Sequence, residues 1–318
     1  MGLFDGEQHW REGPGVQIRV SKNEVPETSS RSLKALDHYL HCQLSHMFSD
    51  QPNRHDTRAG GPPGNPRRSA RHREQSGRDH PSANPASGAQ DKKNSQGADP
   101  VTETDQAVER MVYQILRSKY PSYEFVGEET YDYKNGTPLA DAPTFVLDPI
   151  DGTTNFIHGY SFVCVSLGFC LNKRPTVGIV YNPMTGILWS AIHGQGAFVR
   201  SVKPTSIAGV SETPRRLPLK DPLPPLNGLR GTLVAVEWGS DRDGPNWDAR
   251  VDVFAKLGGS KKTGGGMVHG IRSSGSAALN FCAVACGDLD AAWEAGAWGW
   301  DVAAAWAILE EAGGRVVD

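Results

Sequence analysis

The sequence predicts a layered α+β fold that begins only near Asp99. Three observations carry this expectation. Residues 49–100 contain no Val, Ile, Leu, Met, Phe, Trp, Tyr or Cys, so this stretch cannot bury enough apolar surface to offset the entropy of ordering it. Beyond it, one amphipathic helix precedes a run of strand-like segments with acids at their ends. In the last third of the chain strands and helices alternate, as in layered folds.

The elements follow in order. "DPVTETDQAVERMVYQILRSKYP" offers Thr102 or Thr104 as N-cap, acids in the first turn, and Val108, Val112, Ile115 and Leu116 along one face before Pro121 stops the helix. The strands "YEFVGEE", "PTFVLDP" and "FVCVSLGFCL" come next, then "VGIVYNPMTGILWSAIH" as a hairpin turning at residues 182–186. A Pro-rich connector, "RRLPLKDPLPPLNGL", leads to the strand "GTLVAVEWG" and a helix around "NWDARVDVFAKLGG". "GSAALNFCAVACG" is expected to be helical, "LDAAWEAG" extended, "WDVAAAWAILEEAGG" helical and "RVVD" a last short strand. Residues 1–98 are expected to be largely disordered, with Leu33, Leu36, Leu40 and Leu44 at the spacing of a single helix. Residues 99–318 form the predicted folded unit.

Composition excludes several classes. The chain has 318 residues, 38% of them apolar, and a formal charge of −3 at pH 7, which gives no whole-chain attraction to nucleic acid or to a membrane surface. The cluster "NPRRSARHRE" has no interleaved aromatic and reads as a solvated run. No apolar run reaches the length of a spanning helix, and "MGLFDGEQHWREG" lacks the charged start and apolar core of a signal peptide. Gly6 stands where a myristoylation signal has Ser or Thr. A soluble, cytoplasmic protein is expected. Cys42, Cys164, Cys170, Cys282 and Cys286 are odd in number and form no CxxC pair, so they read as buried thiols.

The chemistry concentrates in "FVLDPIDGTTNF". Asp148 and Asp151 stand close together at a predicted strand end, where two like charges repel unless something positive sits between them. Pro149 cannot continue a ladder, so the chain is expected to turn there and bring both carboxylates to one side. Converging hard oxygen ligands suit Mg²⁺. An EF-hand is excluded, because its acids alternate. Gly152, Thr153 and Thr154 read as the opening of a helix or turn whose free N–H groups can receive a phosphate. Glu128 and Glu129 end another predicted strand and Asp301 opens a helix. Each alone is explained by a solvated loop or a cap.

Taken together, "VGEE", "DPIDGTTNF" and "WDVAAAWAILEEAGG" resemble the signature blocks of the inositol monophosphatase family, Mg²⁺-dependent, lithium-sensitive sugar-phosphate phosphatases. "VTETDQAVE", "VHGIRSSGSAALN" and "WEAG" match it at appropriate distances, and "VAVEWGSDRDGPN" resembles fungal members. The resemblance implies an αβαβα sandwich of the inositol monophosphatase and fructose-bisphosphatase type. The family's first helix and its closing strand and helix find no counterpart here, so an atypical N-terminus and a truncated C-terminus are expected.

Residue by residue, the resemblance implies that Glu128, Asp148 and the carbonyl of Ile150 bind one metal. Asp148, Asp151 and Asp301 hold a second, with Asp105 and Lys93 in support. Glu128 and Thr153 activate water, with Asp151 beside them. Gly152 and Thr153 cradle the phosphate, while Gly275, Ser276, Ala277, Glu294 and Asp301 face the substrate, Glu294 accepting polyol hydroxyls. The implied reaction is hydrolysis of myo-inositol 1-phosphate or a related small phosphate ester by activated water. No Ser or Cys nucleophile motif suggests a covalent intermediate. A homodimer is the family expectation. Two alternatives stay open: a member that is catalytically weak or silent and acts by binding, and a phosphatase for another small phosphate ester.

Overall fold

The computed structural model describes residues 103–133, 139–202, 211–220, 222–226 and 228–317, together with four short strand segments near the N-terminus. These segments are β1 (Gln8–Arg11) paired with β2 (Gln17–Val20), and β3 (Gln90–Asp91) paired with β4 (Pro100–Val101). Apart from β1, β2 and β3, the span expected to be disordered lies outside the described residues. So do the leucine-spaced helix, Cys42, Lys93 and Thr102.

Helix α1 (Glu103–Lys119) ends just before Pro121. Val108, Val112 and Leu116 are buried on its inner face as the spacing predicts, but Ile115 lies at the margin and the acids Asp105 and Glu109 are buried instead. Hydrophobic spacing registers only apolar positions, so two carboxylates on the core face escape it.

That face covers a seven-stranded sheet of order β11-β10-β9-β8-β7-β6-β5. Its members are β5 (Glu124–Gly127), β6 (Thr144–Asp151), β7 (Cys164–Leu171), β8 (Arg174–Asn182), β9 (Ile187–Ile192), β10 (Gly196–Ser201) and β11 (Arg215–Arg216). Strands β5 and β6 run parallel, and every other neighbouring pair runs antiparallel. Side chains alternate across the sheet. Phe145 and Leu147 pack with Val108, Val112 and Leu116 of α1, while Val146 between them packs on the opposite side with Trp300, Val302 and Ala303.

On that opposite side lie α4 (Ala277–Cys286) and α5 (Gly299–Glu311), whose Ala278, Cys282, Ala304 and Ile308 join Cys164, Val180 and Ala191 of the sheet. A second sheet follows, of order β13-β12-β14, built from the parallel strands β12 (Leu233–Val236), β13 (Gly270–Arg272) and β14 (Ala291–Trp293). Helix α4 contacts β14, and α3 (Gly244–Gly258) contacts β13. The layers run helix, sheet, helices, sheet, helix, which is the expected αβαβα sandwich.

The segment "RVVD" differs from expectation. Residues 315–317 form no ladder, although Val316 packs against the α4 and α5 side of the sheet. Its β-branched residues register as strand, but a strand also needs an edge to pair with. Cys164, Cys170, Cys282 and Cys286 are free and buried, as expected.

Candidate active site

The acids gather where the parallel pair of the large sheet ends. Gly127 pairs with Leu147, so Glu128, just past the end of β5, and Asp148, still within β6, come side by side. The Glu128 N–H donates to Leu147 O at 3.1 Å and holds that alignment.

Asp151 reaches the same place through a bulge. In a regular strand, residues 148 and 151 would point to opposite faces. Here Asp148 faces Ser166 and Asp151 faces Cys164 on β7, with a register shift between them. The extra residue turns both aspartates to one side. The turn expected at Pro149 is therefore a bulge, and β6 continues to Asp151. Pro149 lacks an N–H and can sit where the ladder is interrupted. The Ile150 N–H donates to Asp148 Oδ1 at 3.0 Å and closes the bulge.

After Asp151 the chain reverses through Gly152, whose φ of 96° is left-handed, into the short helix α2 (Thr153–Ile157). A Cβ on Gly152 would lie 2.9 Å from Gly275 O and 3.0 Å from Phe162 O. Only glycine meets both the conformation and the close approach. Asn155 Nδ2 then donates to Phe162 O at 2.8 Å and to Ser274 O at 2.7 Å, tying α2 to the loop before α4.

That loop holds Asp151. Ser276 Oγ and the Ala278 N–H both donate to Asp151 Oδ2 at 2.7 Å, and Cys164 Sγ lies 3.8 Å from the same oxygen. Oδ1 takes none of these bonds. Ser276 is also the N-cap of α4, accepting from the Leu279 N–H at 3.2 Å. The start of α4 is thus joined to an acid, a tertiary contact that "GSAALN" cannot announce. Asp301 lies in the first turn of α5, where its Oδ2 accepts the Trp298 N–H at 2.6 Å.

Electrostatics show how tightly these groups are drawn together. Burial pushes the Asp148 carboxyl well above its ordinary range, and Glu128, Asp151 and Asp301 push it further. These three neighbours are themselves acids. Asp151 is pushed up to about 7 by burial, against the opposing bonds from Ser276 and Ala278. Burial also raises Glu294, at the end of β14, and Glu237, Asp301 and Asp151 add to the effect while Arg250 opposes it. Among the described residues no group of three or more His, Cys, Asp or Glu side chains is placed to hold a metal ion. Instead, Glu128 shares a hydrogen bond with Asp148.

Two further pairings went unread in the sequence. Thr153 Oγ1 lies 3.0 Å from Ile150 O and 3.3 Å from Asp105 Oδ1, so the first turn of α1 meets the first turn of α2. Glu109, one turn along α1, accepts the Glu129 N–H at 2.8 Å, beside Gly127, where a Cβ would strike its carboxyl. It steadies the backbone next to Glu128. The signal was present in the acids of "TDQAVE", but only the packing of α1 on β5 gives it meaning.

Glu128, Asp148, Asp151 and Asp301 are brought together, then, with Thr153 beside them and Glu294 at the end of the second sheet. Comparison with known proteins gives the family. Residues 78–318 match the model of the inositol monophosphatase family. The chain is 45% identical over 224 residues to inositol monophosphatase 2 of Saccharomyces cerevisiae, covering 70% of each protein. It is 39% identical over 228 residues to inositol monophosphatase 1 of the same yeast, covering 71% of this chain and 72% of that one. Among solved structures, the Thermotoga maritima IMPase superposes with a TM-score of 0.55 at 26% identity, over 74% of this chain and 77% of the other. A layered sandwich with acids at these strand and helix ends, in such company, is a phosphoric monoester hydrolase. The chain belongs to the inositol monophosphatase family.

Proposed function

We propose that the protein is a Mg²⁺-dependent phosphomonoesterase that hydrolyses myo-inositol 1-phosphate, or a closely related polyol phosphate, in the cytoplasm. The observation that supports this most is the β6 bulge, which turns Asp148 and Asp151 to one side next to Glu128. Buried carboxylates pressed on by other acids call for cations, and an all-oxygen donor set suits a hard one. Glu128, Asp148, Asp151, Asp301 and the carbonyl of Ile150 are the groups to hold Mg²⁺. Bound there, Mg²⁺ supplies the positive charge that a phosphate dianion needs before water can attack it.

The chain's own groups do the rest. Thr153 orients the water, its hydroxyl set between Ile150 O and Asp105. The N–H groups of Gly152 and Thr153 receive phosphate oxygens at the turn. Glu294 accepts hydroxyl protons from the polyol. The experiment is phosphate release from a panel of sugar and polyol phosphates with and without Mg²⁺. Release that needs Mg²⁺ and favours inositol phosphate supports the reading, and no release from any ester favours a protein that acts by binding. The family expectation of a homodimer carries over as part of the proposal, with sedimentation as its test.

Two outcomes are expected beyond the panel. The Glu294→Gln variant should lose about tenfold or more in kcat/KM on inositol phosphate, since charge-assisted hydrogen bonds contribute roughly 1.5–3 kcal/mol each. A small ester without ring hydroxyls should be nearly unaffected. Equal losses on both would assign Glu294 to the fold or the metal.

The second outcome concerns pH. An acid whose folded pKa is raised holds its proton more tightly folded than unfolded. Its stabilising effect is complete below the ordinary carboxylate range and is lost as pH rises through the folded value. With Asp151 pushed up to about 7, and Asp148 raised too, the protein in EDTA should melt at a lower temperature at pH 8 than at pH 5.5. Mg²⁺ should remove that decline. A melting temperature independent of pH in EDTA would contradict the electrostatic picture.

A further inference from the structure

The three parallel strands of the second sheet end together. β12 is the central strand, and the residues that follow the three ends are Glu237 after Val236, Ser273 after Arg272 and Glu294 after Trp293. The carboxyl edge of parallel strands is where such folds place their ligand chemistry. Glu294 has a part there already, and Glu237 has none.

Glu237 is 8% exposed, and its carboxylate takes four donors. The Ser274 N–H donates to Oε1 and the Gly275 N–H to Oε2, each at 2.9 Å. Asn280 Nδ2 donates to Oε1 at 2.5 Å, and Ser273 Oγ lies 3.5 Å from Oε2. These donors bracket one residue. Ser273, Ser274 and Gly275 precede Ser276, and Asn280 lies one turn beyond it on α4. Ser276, 1% exposed, gives its hydroxyl to Asp151, and the Ala278 N–H joins it.

We propose that Glu237 is a positioning residue of the phosphatase centre. Its carboxylate clamps the loop and the first turn of α4 on either side of Ser276, and so sets where Ser276 and Ala278 hold Asp151. It touches neither substrate nor metal and acts through two backbone N–H groups, one side-chain amide and one hydroxyl. A carboxylate suits the task because it only accepts, and all its partners donate. In Glu237→Gln an NH₂ group faces the donors, so at least one bond is lost and one donor is set against another. The role of the clamp in metal binding rests on the function proposed above.

The test compares the whole chain with Glu237→Gln and with Asp290→Asn. Asp290 Oδ2 accepts the Leu233 N–H at 2.8 Å, so this control also removes a backbone-holding carboxylate from the second sheet, away from Ser276. Amide exchange is followed by NMR, and Mg²⁺ binding by calorimetry. Glu237→Gln should speed exchange at Ser274, Gly275 and Ala278 and weaken Mg²⁺ binding roughly tenfold, the scale seen when partners of metal ligands are removed. Asp290→Asn should leave Ala278 and Mg²⁺ binding as in the unaltered chain.

Faster exchange at Ser274 and Gly275 with Ala278 unchanged would overturn the proposal, since the clamp would then be local. Unchanged Mg²⁺ affinity in a folded Glu237→Gln protein would overturn it as well. If the unaltered chain takes up no Mg²⁺, the proposed function fails, and Ala278 exchange alone decides the positioning role. If Glu237→Gln does not fold, Asn280→Ala removes a single donor and is judged by the same two readouts.

Discussion

Replacing Asp148 with Asn is expected to cut phosphate release by roughly a thousandfold or more, because a ligand shared by both proposed metals loses its charge at each. Supporting several kcal/mol of transition-state charge stabilisation is the usual role of such a centre, and about 4 kcal/mol corresponds to that factor. The geometry adds a second cost. Asp148 Oδ1 accepts the Ile150 N–H and closes the bulge that turns Asp151 to the same side. An Asn could present its NH₂ there and open the bulge, so Asp151 would move too. Activity is measured at saturating Mg²⁺ on protein shown to be folded by circular dichroism. Activity within threefold of the unaltered chain would end the assignment of Asp148 as a shared ligand.

The second large effect is expected at a seam of glycines rather than at an acid. Helix α5, which carries Asp301, lies against β7 and β8 where both strands have glycine. A Cβ on Gly168 would come 2.9 Å from the Ala303 Cβ and 3.1 Å from the Ala304 N. A Cβ on Gly178 would run into the Ala304 carbonyl. Backbone cannot rotate away as a side chain can, so Gly178→Ala must push the helix off the sheet.

Overpacking of this kind costs about 3 kcal/mol, which is roughly 6–12 °C in melting temperature for a folded unit of this size. Asp301 sits in the first turn of that helix and should move with it, weakening Mg²⁺ binding in whatever protein stays folded. Thermal melting and Mg²⁺ calorimetry on Gly178→Ala check both parts. A melting temperature within 2 °C of the original would show that the seam is looser than its packing indicates.

Much of this was legible in the chain itself. Most of the order of strands and helices from Glu103 onward follows from local pattern, because apolar spacing, caps and turn residues act within a few positions of one another. The short strands β10, β11 and β13 are not among the elements that pattern predicts. "RVVD" marks the limit of that reasoning, since its composition suits a strand and residues 315–317 join no ladder among the described residues. The acids were legible for a different reason. Asp148, Asp151, Glu128 and Asp301 stand out by residue type at element ends, and their spelling matches a family.

What the chain could not disclose is where charge is brought back into the core. Glu109 breaks the apolar stripe of α1, Asp105 and Ser276 enter only through the resemblance, as support for the metals and as a substrate-facing residue, and Glu237 follows a strand like any polar residue at a loop. Each acquires its role from a partner many residues away: the Glu129 amide, Thr153, Asp151 and the amides of residues 274 and 275. From the chain alone come most of the order of elements, the class of chemistry and the acids proposed to carry it, since these depend on neighbours in the chain and on residue type. The packed sheet supplies the means by which Asp148 and Asp151 share a face, a bulge rather than the expected turn, and the polar groups that hold them there. A bulge is a two-strand property, and a hydrogen bond across 125 residues exists only once the sheet and both helices have packed.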